Sequence, residues 1–131
     1  MSLRLLLGLS LLCGGIHRAA SAQSSPCRTD SLASWVTEMK GFYGGIDTAS
    51  YRAQGLPVAQ PANIVAVTDS ATCAAGLSVY NQHYSKSEQG AYFVAIGSEG
   101  FALIDTSFRR GEYIVAVIYD SQWALKFKVS L

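Results

Sequence analysis

Residues 111–131, GEYIVAVIYDSQWALKFKVSL, decide the fold. From Tyr113 to Tyr119 every position is apolar or aromatic, the pattern of a strand covered on both faces. After a short turn the chain alternates instead. Trp123, Leu125, Phe127, Val129 and Leu131 point one way and Gln122, Lys126, Lys128 and Ser130 the other, so this second strand has a wet face. Two lysines on an exposed strand blunt an edge against aggregation, which makes the ending a sheet margin first and a docking surface second. A strand covered on both faces needs two covers. Helices supply one, and a curled sheet, the proline-bearing segment or a ligand is expected to supply the other.

Working back from this hairpin, residues 91–96 and 101–105 are strand-like runs joined by the turn 97–100, a second hairpin signature. Residues 106–111 and 85–90 are polar and read as loops. Further upstream the period changes. Leu32, Trp35, Val36, Met39 and Tyr43 recur at three and four residues between the capping Asp30 and the terminating Gly44-Gly45, which predicts an amphipathic helix. Thr48 to Gly55 offers a further turn or two of helix with Thr48 as cap, and Pro57 and Pro61 hold the chain extended up to the apolar run 64–67. Thr68 and Asp69 can cap another helix, whose stripe Cys73, Leu77, Tyr80 and Tyr84 faces the core. Gly76 within it implies close packing on a neighbour.

Residues 1–22 carry a secretory signal: Arg4, the apolar run Leu5 to Cys13, and the small-x-small end Ala20-Ser21-Ala22, with cleavage expected before Gln23. The apolar run is too short for a membrane anchor. The 23–131 segment then forms a single domain. Its two cysteines, Cys27 and Cys73, are expected to pair in an oxidising compartment, closing a loop of about 46 residues that the chain-entropy model values at about 4 kcal/mol. The bridge would tie the beginnings of two helices.

Of the ten basic residues, Arg4 and Arg18 lie in the signal, leaving eight against nine acidic ones. Without a basic run, nucleic acid is not an expected partner. Beyond the signal the one histidine is His83, and with both cysteines assigned to a bridge neither a metal site nor a cofactor is expected. No phosphate-binding loop, nucleophile elbow or zinc-protease motif is present. A hydrolase could draw on His83 with Asp105 and Ser107, or with Asp120 and Ser121, although Asp and Ser at such positions are ordinary turn residues.

Five tyrosines, Tyr80, Tyr84, Tyr92, Tyr113 and Tyr119, fall on elements that should pack together, and their apolar bodies with polar tips suit a pocket wall. The sequence therefore predicts a secreted α+β domain, periplasmic or extracellular: two or three N-terminal helices on a mostly antiparallel sheet of four or five strands, with one disulfide. The expected function is non-catalytic binding of a small apolar ligand or a partner protein. The alternatives are an interaction or inhibitor domain acting through the 97–100 turn or the 106–111 loop with Arg109 and Arg110, and a small hydrolase using His83.

Overall fold

The computed structural model describes residues 26–84 and 90–131. The signal segment 1–22 and most of the loop expected at 85–90 lie outside them. The order is α1 (Leu32–Gly44), α2 (Thr48–Ala53), a short 3-10 helix (Pro61–Asn63), β1 (Ile64–Ala66), α3 (Ser70–His83), β2 (Tyr92–Ile96), β3 (Gly100–Arg110), β4 (Tyr113–Asp120) and β5 (Leu125–Ser130). The five strands form one antiparallel sheet in sequence order, β1-β2-β3-β4-β5, with β1 and β5 at its edges.

The period-two alternation of the strands divides the core in two. One set, Tyr92, Val94, Ile96, Ala102, Ile104, Ala116, Ile118 and Val129, packs with Ile64 under Leu32, Met39 and Tyr43 of α1. The opposite set, Phe93, Leu103, Val117 and Tyr119, packs under Cys73 and Tyr80 of α3. Helices thus lie on both faces. The second cover of β4, expected from a curl, a proline-bearing segment or a ligand, is α3, held there by the Cys27–Cys73 disulfide. Cys27 also forms an isolated parallel bridge with Ala91, so the strap reaches from the start of α3 to the sheet. The helices are not all N-terminal, because the apolar run at 64–66 is an edge strand that precedes α3.

Several local expectations shift. Asp30 does not cap α1: Ser31 stands at the cap with φ 65°, and Asp30 instead accepts from the Arg28 guanidinium at 2.8 Å and from Tyr92 Oη at 3.1 Å. A carboxylate beside a guanidinium is worth more than one more amide partner. The second helix is capped by Asp47, whose side chain accepts from Ser50 N, rather than by Thr48. The polar stretch expected as a loop at 106–111 mostly continues β3, which pairs with β4 as far as Arg110↔Tyr113. A hairpin end that extends beyond the core is exposed and polar, and its backbone pairing leaves no hydrophobic signature.

Trp123 is not part of β5. It sits in the β4–β5 turn at φ 65°, fixed by Asp120 Oδ1 accepting from Gln122 N and Ala124 N, and its ring folds back to stack on Phe101 with centroids 4.5 Å apart. A side chain in that backbone region costs about 1–3 kcal/mol unless its surroundings hold it, and here the turn and the stack do. The ring also fills the space beside Gly76, where a Cβ would stand inside the indole, which is the close packing expected of that glycine.

Candidate functional site

The α3 face differs from the α1 face by one polar cluster. Between the pairs Ile104↔Ala116 and Arg109↔Ile114, four residues of β3, 105–108, stand against Val115 alone on β4. Such a bulge bends its strand and re-aims side chains. Here Asp105, Ser107 and Phe108 meet the end of α3, where Tyr80 and Tyr84 lie one turn apart on the stripe that faces the sheet.

Asp105 is 5% exposed. Its Oδ2 accepts from Tyr80 Oη at 2.9 Å, and its Oδ1 accepts from the backbone N of Ser107 at 3.0 Å and from Ser107 Oγ at 2.7 Å. Burial, reinforced by the hydrogen bond to Asp105, drives the Tyr80 phenol far above its ordinary range, so it stays a neutral donor. Tyr84 stacks on Tyr80 with centroids 4.9 Å apart, and Phe108 lies 5.2 Å from Tyr84. Tyr80, Tyr84, Asp105, Ser107 and Phe108 line an open-mouthed cavity of about 150 Å³.

Lys128 borders this cluster. Its register partner is Val117, so it projects on the α3 face, and its ammonium lies 5.1 Å from the Tyr84 ring centroid and 5.8 Å from that of Phe108. The wet face of the last strand is therefore partly an aromatic contact. Nearby, Tyr119 is 1% exposed, and among the described residues its Oη has no hydrogen-bond partner. Burial pushes that phenol up to about 12.

Of the five tyrosines singled out in the sequence, Tyr80, Tyr84 and Tyr119 share the α3 face and the other two stand apart. Tyr92 lies on the α1 face, tilted against Trp35 at 6.0 Å with the Arg28 guanidinium over its ring. Tyr113 is 60% exposed at the β3–β4 hairpin end. Phe108 and Lys128 were not legible as site residues, the one because it sat in an apparent loop, the other because edge lysines are common. The signal available for Phe108 is its place directly after a serine and three residues after an aspartate that itself follows an apolar run.

Two other hollows have different linings. A groove of about 400 Å³ is bounded by Ser34, Trp35, Glu38 and Leu131. A cleft of about 210 Å³ is lined by Arg52, Glu99, Asp120 and Lys126 among others. Its charges are already paired, Arg52 to Glu99 at 2.6 Å and Lys126 to Asp120 at 3.7 Å. Glu99 also accepts from Val58 N at 3.0 Å, so the 97–100 turn is anchored to the body of the domain.

His83 ends α3 with an exposed side chain. Among the described residues it makes no hydrogen bond to Asp105, Ser107, Asp120 or Ser121, and no group of three or more His, Cys, Asp or Glu side chains could hold a metal ion. Among the same residues no helix is long and apolar enough to cross a membrane. Compared with protein-family models, curated proteins and solved structures, the chain matches none.

Proposed function

We propose that the chain is an exported, non-catalytic module that binds a small ligand in the cavity between the end of α3 and the bulge of β3. The observation that carries this reading is Asp105: a carboxylate buried at a strand irregularity and presented, with its partners Tyr80 and Ser107, to a cavity otherwise walled by the rings of Tyr84 and Phe108. Mostly apolar walls with a few convergent polar groups are the usual make-up of a small-molecule site. Export is supported by the signal-like 1–22 segment and agrees with a disulfide in the folded domain.

Native and denaturing mass spectrometry of the exported protein tests this. The expected denatured mass begins at Gln23 and is lighter than the reduced chain by the hydrogens lost to the bridge, and the native mass carries an adduct that a Tyr84→Ala variant loses. An empty native protein that also shows no shift at residues 105–108 when a library of small amines, alcohols and aromatics is titrated in would overturn it.

A second reading is favoured by one observation, the exposed hairpin end. Arg109, Arg110 and Tyr113 all stand free of the core there, as a surface for a partner protein would. On that reading Arg109→Glu with Arg110→Glu abolishes capture of the partner without lowering thermal stability. For the hydrolase alternative, His83→Ala is the test, and the present proposal expects no change in any activity screen.

A further inference from the structure

Resting on the reading of this cavity as a ligand site, we infer that its ligand is a small ammonium-bearing molecule, the cationic head set between Asp105 and the faces of Tyr84 and Phe108.

Three observations converge on a cation. A carboxylate taken out of water is normally paired with a cation or fully hydrogen-bonded. A carboxylate has about four acceptor positions, and Asp105 fills three of them with Tyr80 and Ser107. Among the described residues the ion pairs use Asp30, Glu99 and Asp120, and none uses Asp105. Arg28, the cation on which Asp105 acts electrostatically, has its guanidinium committed to Asp30 at 2.8 Å and Thr106 Oγ1 at 3.4 Å.

The rings already hold an ammonium. Lys128 Nζ lies 5.1 Å from the centroid of Tyr84 and 5.8 Å from that of Phe108, within the range at which a ring face attracts a cation. The chain's own side chain thus marks these rings as a place for such a group. It also makes Lys128 a competitor, by charge and by occupancy.

Size limits the guest. A cavity of about 150 Å³ suits a molecule near the size of benzene. A small quaternary or primary amine meets that limit, brings a positive charge to a carboxylate that has no direct ion pair among the described residues, and turns its methyl or methylene groups to the rings. An anion would face Asp105, and a neutral guest would forgo the attraction of both the carboxylate and the ring faces.

The test titrates choline and its uncharged carbon isostere, dimethylbutanol, into the exported protein, following the amide signals of residues 105–108. Choline is expected to shift them saturably. Dimethylbutanol should bind at least about tenfold more weakly, Asp105→Asn should narrow that difference, and Lys128→Met should tighten choline binding. Should Asp105→Asn fail to fold, Phe108→Leu replaces it and is expected to weaken choline more than dimethylbutanol. Equal binding of the two probes overturns the ammonium assignment and leaves the cavity as a ligand site. Binding of neither, to wild type or to Lys128→Met, overturns the assignment, and the cavity reading falls only if the wider small-molecule library also gives no shift.

Discussion

The two faces of the sheet are built from alternate residues of the same strands, yet they are different materials. Under α1 the deeply buried side chains are aliphatic or aromatic, and the buried phenol of Tyr43 is satisfied by the carbonyl of Pro57 at 3.0 Å. Under α3 the same depth holds a carboxylate, a phenol bonded to it, a second phenol without a partner among the described residues and a break in strand register. Polar burial of this kind weakens a core unless every group is matched. The α3 face is also the one that carries the disulfide. The cross-link thus falls on the face that buries the polar groups.

Removing the bridge should break the comparison most severely. Replacing Cys27 and Cys73 with serine is expected to cost about 4 kcal/mol in urea unfolding. Hydrogen exchange should then show the amides of α3 opening while those of α1 stay protected. Equal loss in both helices would mean that the faces form one cooperative unit.

A matched pair of glycines comes next. Gly76→Ala drives a methyl into Trp123 and should destabilise by about 1–3 kcal/mol. Gly41→Ala, on the exposed side of α1 with nothing near its Cβ, should stabilise by up to about 1 kcal/mol. Thermal unfolding of the two variants reads the opposite signs directly.

Paired tyrosine variants give smaller effects. Tyr43→Phe strands the Pro57 carbonyl and should cost about 1 kcal/mol, whereas Tyr119→Phe removes an unpaired buried hydroxyl and should gain about 1 kcal/mol. A loss at Tyr119 would show that its hydroxyl is used.

The last difference is silent at neutral pH. Burial raises the phenols of Tyr43, Tyr80 and Tyr119 above their unfolded value near 10. Their neutral forms therefore contribute stability that is full below about pH 10 and is lost as pH climbs through the folded values. A phenolate absorbance titration should show late, cooperative ionisation coincident with unfolding. Tyr80→Phe with Tyr119→Phe should move that onset upward more than Tyr43→Phe does.

Much of this architecture was written in residue patterns that have a single physical reading. The 3.6-residue stripes of α1 and α3, the unbroken apolar run of β4 and the paired cysteines each leave few alternatives. What stayed hidden depends on contacts distant in sequence. Asp30 looks like a cap until Arg28 and Tyr92 claim it, and Trp123 looks like a strand residue until Asp120 bends the turn and Phe101 receives the ring. The cavity was half legible. Tyr80 and Tyr84 follow from helical spacing, and Asp105 and Ser107 were visible as polar residues at a strand end. The bulge that turns them toward α3 and brings in Phe108 is a matter of register with β4, which no local pattern encodes.

The chain has two tryptophans, and the fold assigns one to each face: Trp35 beside Tyr92 under α1, and Trp123 among Phe93, Phe101 and Tyr119 under α3. Each layer consequently carries its own fluorophore. With either indole replaced by phenylalanine, the emission of the other reports the docking of one helix alone, so the order in which the layers part can be read optically without a label.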